Sequence, residues 1–415
     1  MKKYWILLFM IWGKTVVFAQ KNYTLQDCEG LFLKNNLILL ASHFNIEASK
    51  AMTMQAKIWD NPVISGDLNV YNPEAQKYWD VGTQGAKSFG ISQIIYLGGK
   101  KRNEVKLSKI NEQIAELEFA DLLRNLKFQL RNSFFDVYYN NKTLETTEKQ
   151  MVKLKELINS YDVQTQKGNV ALKELVRLEA LYLNFKNERL DLIEQNLEAQ
   201  SNLRLLLSEN EDVIPVLNPS DVDKYNKDLI FDATHLEKQA FENRPDYLIK
   251  QKEIEANELN IKFQKSLAIP DITLGASYTQ RGGAFDNQKN VNFSIPLPLW
   301  NKNKGNIQLS KTILEQSKAE ITALDFQLKN EITSSWKEWH EAKSNFMELK
   351  PTIYQDLELV YKGILDNFQK RNISLLEFTD FMESFNQANI QYNDMKKKVV
   401  ITGEKLNNTV NKELF

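Results

Sequence analysis

From Lys100 to Gln166 the chain contains neither proline nor glycine, and that stretch constrains the fold more than any other feature. Apolar residues step by three and four through Leu107, Ile110, Ile114 and Leu117, then through Leu123, Leu126, Leu130, Phe134 and Val137. After a gap the stepping resumes at Met151, Leu154, Ile158 and Tyr161. Apolar seams separated by charged faces are the coiled-coil pattern. A helix of this length reaches ~100 Å at ~1.5 Å per residue, far more than a compact domain requires. It is expected to end in a short polar turn, Gln166 to Asn169, from which a second amphipathic helix returns.

The chain also repeats itself, which sets its organisation. Leu107-Ser108-Lys109 recurs as Leu309-Ser310-Lys311 at an offset of 202. The segment Lys167 to Glu174 pairs with Lys370 to Glu377 at an offset of 203. Upstream, Lys34-Asn35-Asn36 faces Glu242-Asn243-Arg244, Ile46-Glu47-Ala48 faces Ile254-Glu255-Ala256, and Pro62 faces Pro270, all at 208. The order and spacing imply a duplication of about 200 residues. The expected division is a leader over 1–19, a first repeat over 20–209, a linker over 210–233 and a second repeat over 234–415. Each repeat reads helix, strand pair, very long helix, return helix. The opening helices are expected at Leu25 to Ile58 and Thr234 to Leu267, the first capped by Thr24 with Asp27 three residues on. The second long helix carries Phe346, Leu349, Ile353, Leu357, Val360 and Ile364, and Pro351 is expected to break it.

Between the opening and long helices the period changes to two, the mark of strands with one apolar and one polar face. Ile272, Leu274, Ala276 and Tyr278 alternate with polar residues, as do Val291, Phe293, Ile295 and Leu297. The first copy has Ile64, Leu68 and Val70, then Phe89, Ile91 and Ile95. Strand pairs are therefore expected at 62–71 with 88–97, and at 270–279 with 290–299, with Asp67 and Asp271 their only charged residues. Pro296 and Pro298 cannot donate to a ladder, so the last strand should finish there. The loops Asn72 to Lys87 and Gln280 to Lys289 are polar, and Arg281-Gly282-Gly283 reads as a flexible exposed turn.

Composition narrows the chemistry. Lys+Arg number 53 against 54 Asp+Glu, a formal net charge of −1. A sequence-independent nucleic-acid binder needs a basic surface to displace counterions, so no nucleic-acid partner is expected. A lone cysteine, Cys28, excludes an intramolecular disulfide framework and a cysteine-cluster zinc site, and reads as a small packed side chain. His43, His235 and His340 are scattered, without the spacing of a metal or catalytic pair, so no metal site, no cofactor and no enzymatic activity are expected. Gly98-Gly99 and Gly282-Gly283 open into no nucleotide-binding pattern. Mean hydropathy is −0.45. At the N-terminus, Lys2 and Lys3 precede an apolar run from Tyr4 to Trp12 and small residues before Gln20, the three-part form of a secretory signal. Cys28 lies eight residues beyond that cut, so it is not a lipidated first residue.

Strands of about ten residues match the ~9–11 that cross a bilayer as a tilted barrel. Four per chain cannot close, because an open edge does not survive in lipid and known barrels start at about 8 strands. Two copies would supply eight and three would supply twelve. The competing arrangement is a soluble coiled-coil protein with small sheets packed on its end.

Over essentially the whole mature chain the residues resemble the TolC-like outer-membrane efflux proteins, and within them the shorter CzcC-type metal-efflux members. The resemblance rests on Leu25-Gln26-Asp27-Cys28 through Leu33-Lys34-Asn35-Asn36, and on Ala240 to Asp246 (Ala-Phe-Glu-Asn-Arg-Pro-Asp). It rests further on Phe293 to Asn301 (Phe-Ser-Ile-Pro-Leu-Pro-Leu-Trp-Asn) and on the tip motifs beginning at Gly168 and Ile373. It implies a mainly α fold in which a homotrimer closes a 12-stranded membrane β-barrel, four strands per chain, on a long α-helical coiled-coil tunnel. It implies the outer membrane of a Gram-negative bacterium, with extension into the periplasm, and partnership with a periplasmic adaptor and an inner-membrane pump. Lys167, Gly168, Asn169, Val170, Lys370, Arg371, Asn372 and Ile373 would be the tips that meet the adaptor. Ile373 to Asp380 resembles the segment whose acidic residues ring the tunnel entrance, so Glu377 and Asp380, on one helix face, would gate it. The first-copy equivalents are Glu174 and Arg177, and Arg177 could bridge to a carboxylate there. The sequence departs from the family at Phe378-Thr379, where an aliphatic pair is usual. Three functions follow: the exit duct of a tripartite efflux pump, conducting substrate such as metal cations passively; the same duct serving drug efflux or type I secretion; or a periplasmic coiled-coil scaffold without transport.

Overall fold

The computed structural model describes residues 22–415 apart from 231 and 283, so the expected leader and its cut lie outside the described residues. The first half forms β1 (Asn22–Tyr23), α1 (Leu25–Asn35), α2 (Leu37–Lys57), β2 (Val63–Leu68), β3 (Tyr71–Asn72), β4 (Lys77–Tyr78), β5 (Ala86–Ile95), α3 (Lys100–Gln166) and α4 (Leu172–Leu207). A connecting stretch holds β6 (Ile214–Pro215), α5 (Pro219–Asp223) and a single 3-10 turn. The second half forms α6 (Ala233–Asn243), α7 (Pro245–Leu267), β7 (Ile272–Arg281), β8 (Phe285–Ser294), α8 (Lys304–Met347), α9 (Ile353–Gln369) and α10 (Leu375–Val410). The protein is mainly helical, and among the described residues no helix is long and apolar enough to cross a membrane.

The duplication is visible element by element. Helices α1 and α6 each have 11 residues, and α4 and α10 each have 36. The copies differ where the chemistry differs. Helix α3 runs unbroken for 67 residues, whereas its counterpart divides into α8 and α9 around Pro351, which has no amide to continue the ladder. The opening helix, expected as one piece in each half, is broken in both, at Asn36 and at Arg244. Arg244 precedes Pro245, whose ring forces the residue before it out of helical geometry, here to φ −71° and ψ 120°. Asn36 has no proline after it; its amide instead donates to the Leu206 carbonyl at 2.7 Å. Arg244 makes the corresponding contact in the second copy, donating to the Thr409 carbonyl at 3.0 Å.

Two compact units are present, and each draws on both halves of the duplication. One combines the described residues through Asn36 with Lys127–Asp228 and Trp339–Glu404. Its core is organised around a buried charge network. Arg131 donates to Glu29 at 2.6 Å and to Glu404 at 2.7 Å, and the Tyr225 hydroxyl donates to the other Glu404 oxygen. The Trp339 indole closes over this group by donating to the Tyr225 carbonyl at 3.2 Å. Gly403 permits the approach, since a Cβ there would lie 2.6 Å from the Tyr225 ring. Beside it Cys28 is fully buried; burial first, then the charges of Asp27 and Glu29, pushes its thiol up to about 12, so it is unreactive. The expected Thr24 capping box is present, with the Asp27 amide donating to the Thr24 hydroxyl at 3.2 Å.

The other unit comprises Leu37–Leu126, Leu229–Glu338 and Lys405–Phe415. It holds one four-stranded antiparallel sheet in the order β2-β5-β7-β8, leaving β2 and β8 as edges. The second strand of each pair begins earlier than the alternation indicated, at Ala86 and at Phe285. It also ends earlier, at Ile95, where the Leu97 amide turns away to the Asp271 carboxylate at 2.9 Å, and at Ser294, ahead of Pro296 and Pro298. Asp271 therefore stands outside the strands, paired with Lys100 at 2.7 Å, while Lys87, Arg281, Asp286 and Lys289 lie inside them.

Replacing Arg131 by Met should destabilise the protein by about 3–5 kcal/mol, because it leaves Glu404 buried without its cation. The double change Arg131→Met with Glu404→Leu should recover much of that loss. Denaturant melts of the purified protein would test this, and a single-variant loss below about 1 kcal/mol would show that the network holds little.

Candidate functional site

The two helical turns, at Gln166 to Asn169 and Lys370 to Asn372, are built alike. In the first, the amides of Gly168 and Asn169 donate to the carbonyls of Thr165 and Gln164, both at 2.9 Å. In the second, the amides of Arg371 and Asn372 donate to those of Phe368 and Asn367 at 3.0 and 2.8 Å. This is the Schellman pattern, which satisfies the last helical carbonyls and places one residue in the left-handed region. That residue is Gly168, with φ 75°, and at the equivalent position Arg371, with φ 61°. Glycine takes the conformation freely, whereas an L side chain pays a steric cost of about 1 kcal/mol. The asparagine after each repeats a side-chain bond as well, Asn169 to Gln164 at 2.8 Å and Asn372 to Asn367 at 3.1 Å.

The helices restart differently. Before α10, the Ser374 amide and hydroxyl donate to the Glu377 carboxylate at 2.8 and 2.9 Å, and the Glu377 amide donates back to the hydroxyl at 3.2 Å. The Ser-x-x-Glu spacing of a capping box was there to be read. Those two donations, the backbone one first, hold the Glu377 carboxyl below its ordinary range. The equivalent start of α4 has Ala171 and no side-chain cap. Glu377 is thus both exposed and locally engaged, while Asp380, also exposed, has no hydrogen-bond or ion-pair partner among the described residues. Arg177 is exposed and likewise forms no ion pair among them. Glu174 is half-buried; with burial it raises the Tyr161 pKa, which Arg371 opposes, so the two turns share one electrostatic neighbourhood.

Beneath the turns, α3, α4, α9 and α10 contribute one apolar cluster including Leu154, Ile158, Leu175, Leu178, Phe368 and Phe378. Phe378 stacks on Phe368 at 4.2 Å between ring centroids, and Phe368 on Tyr161 at 6.2 Å. The Phe378-Thr379 departure is therefore a packing feature: Phe378 is fully buried, and the Thr379 hydroxyl donates to the Leu376 carbonyl at 3.1 Å. Ile373 packs against the same cluster, Val170 is half-buried, and Lys167 is exposed. Lys370 pairs with Asp366 at 2.6 Å on the surface.

The sheet of the other unit is a separate candidate surface. Cross-strand register aligns Ile64, Ile91, Ala276 and Val291 in one row, with Leu274 beside Phe293 in the next. That face is open: Val291 is 84% exposed, Ile64 79% and Phe293 73%. The opposite face carries Ser65, Ser88, Ser92, Thr273, Ser277 and Asn292, which line a concavity of about 220 Å³. The sheet therefore curls around its polar side and turns its apolar side outward. Aromatic residues flank the apolar rows. Trp59 packs by Tyr96 at 6.0 Å, and Trp300 is 92% exposed, at the end joined to the helices. Tyr71 packs by Tyr78 at 4.8 Å, next to exposed Trp79, at the loop end.

Comparison with known proteins agrees with this geometry. Residues 30–209 match the sequence model of the family described as outer membrane efflux protein. The cobalt-zinc-cadmium resistance protein CzcC of Cupriavidus metallidurans is 20% identical over 373 residues, 89% of this chain and 85% of that protein. A membrane protein from Pseudomonas aeruginosa shares the fold with a TM-score of 0.75 at 16% identity, covering 93% of this chain and 92% of its own. CusC, studied for its transmembrane channel formation, shares it with a TM-score of 0.72 at 14% identity, covering 93% and 91%. The resemblance found in the sequence is borne out.

Ser374→Ala should speed amide exchange in the first turn of α10 by about fivefold, the size of a lost N-cap. The depressed Glu377 pKa gives this cap a pH window: its contribution is present above the unfolded value of about 4.3 and is lost as pH falls through the folded value. Gly168→Ala should cost about 1 kcal/mol and Arg371→Gly should gain a similar amount, both measurable by local exchange.

Proposed function

We propose that this chain, a protein of the outer-membrane efflux family, is the exit duct of a tripartite efflux pump. The observation that carries the proposal is the four-stranded sheet: curled, polar inside, apolar outside, and unpaired at both edges. Strands β5, β7 and β8 have ten residues each, the length that crosses hydrocarbon at a barrel tilt. Edges β2 and β8 would pair between copies, and three copies close a twelve-stranded barrel without leaving an edge in lipid. The helices would continue as a periplasmic tunnel, with the turns at 167–170 and 370–373 facing an adaptor coupled to an inner-membrane pump.

In that trimer Glu377 and Asp380 supply six carboxylates to one constriction, a ring that favours cations. The Asp380 carboxylate, without a partner among the described residues, is the better candidate for the ring, because Glu377 already closes its own cap. Arg177, also without an ion pair among the described residues, would bridge a carboxylate of the ring. Metal cations are the favoured cargo on the likeness to a cobalt-zinc-cadmium resistance protein. Drug efflux or type I secretion would use the same duct.

Two measurements test these statements. The purified protein should need detergent and carry the mass of three chains; a chain that stays soluble without detergent supports the scaffold reading and ends the duct reading. In planar bilayers, alanine at both Glu377 and Asp380 should raise conductance or weaken block by divalent cations, and unchanged currents would remove the gate assignment.

A further inference from the structure

Among the described residues, four charged residues are paired in the strand ladder, Asp67, Lys87, Arg281 and Lys289, all toward the loop end of the sheet, with Arg281 opposite Ala86 on the same face as Asp67. Asp67 pairs across the ladder with Ser88, on the polar concave face. The two lysines are on the other side. Lys87 pairs with Leu68 and with Gln280, and Lys289 pairs with Tyr278, so both share the outward face with Phe89, Ile91 and Val291. Neither lysine side chain has an ion-pair or hydrogen-bond partner among the described residues.

An unpaired ammonium on a lipid-facing strand costs ~2–4 kcal/mol at the bilayer midplane but only ~0–1 near its surface. Both lysines therefore belong at headgroup level, and the exposed aromatic group of Tyr71, Tyr78 and Trp79 at the same end of the sheet agrees with that depth. The half of the sheet nearer the helices has no charged residue on its ladder, so the two ends would meet different headgroups. Strands β5 and β8 flank β7, and the two lysines are one pleat repeat apart along it. Their Cα atoms are thus about 12 Å apart, from ~4.8 Å between strands and ~3.4 Å per residue. Phe89 and Tyr278 share the row of Lys289 on the same face, one pleat repeat from the row of Lys87 and Gln280.

We propose that Lys87 and Lys289 form a binding site for the phosphate groups of a phosphorylated glycolipid headgroup in the outer leaflet, whose acyl chains descend over Phe89 and the Ile64–Ile91–Ala276–Val291 row. Two cations at this separation suit a headgroup bearing two phosphates, and the adjoining apolar face suits its chains. This inference rests on the outer-membrane reading given above.

The test uses the full-length protein purified in detergent, native mass spectrometry, and two probes: diphosphorylated lipid A and the same lipid with both phosphates removed. The unaltered protein should retain the phosphorylated form about tenfold more than a Lys87→Gln, Lys289→Gln double variant does, and should bind the dephosphorylated form no better than that variant. Lys87→Arg with Lys289→Arg should keep the retention. Equal retention of both probes, or equal retention by the unaltered and glutamine proteins, would overturn the proposal. Loss of the assembled protein in the glutamine variant, independent of added lipid, would assign the lysines to a contact between copies and overturn it as well. Flotation with zwitterionic vesicles separates the two levels: protein that inserts but does not discriminate phosphate defeats only the lysine site, whereas protein that inserts nowhere defeats the outer-membrane reading.

Discussion

A strand edge presents a row of unpaired amides and carbonyls, and hydrocarbon offers them no partner. In the proposed outer-membrane duct, that constraint governs the rest of the protein. The sheet β2-β5-β7-β8 has an apolar face that would gain from lipid and two edges that lipid forbids. Neither a longer sheet nor a covering helix resolves the conflict within one chain, because the polar face already curls inward to line a concavity. In the proposed duct, closure between copies would resolve it, and each repeat supplies one strand pair of the same sheet.

The helical turns answer a related problem, the unsatisfied carbonyls and amides at helix ends. Both turns solve the carbonyl side with the same pair of backbone bonds, and Gln, Lys and Asn recur at equivalent positions in both. They differ on the amide side, where Ser374 and Glu377 close a box that Ala171 cannot. They also differ in strain, with Gly168 in the left-handed region at no cost and Arg371 there at some cost. One turn is thus softer and the other more firmly held, a difference arising from two substitutions within an eight-residue repeat.

Much of this was legible in the order of residues. The seam at Leu126, Leu130, Phe134 and Val137 is buried as the coiled-coil pattern requires, and the break at Pro351 falls where an imide must interrupt the ladder. The apolar alternation located the sheet but misplaced its strand ends by one to five residues, because a period of two has no marker for where pairing stops. The stops are set by the Asp271 carboxylate capturing the Leu97 amide and by the prolines after Ser294. That shift moves Lys87 and Lys289 into the ladder. The breaks at Asn36 and Arg244 were also missed, although Pro245 signalled the second.

The sequence by itself determined the elements: local periodicity, proline positions and capping pairs act over a few residues, and a few residues suffice to read them. It determined the family likeness too, because a duplicated order of motifs survives in the chain. Only the tertiary structure decided which side of the sheet is concave, and that Phe378 belongs to the core while Asp380 has no partner among the described residues. It alone decided that Arg131, Glu29, Glu404 and Tyr225 meet, a contact joining residues up to 375 positions apart. The reason is physical: curvature, burial and long-range ion pairing are properties of what the chain packs against, and no local pattern carries that information.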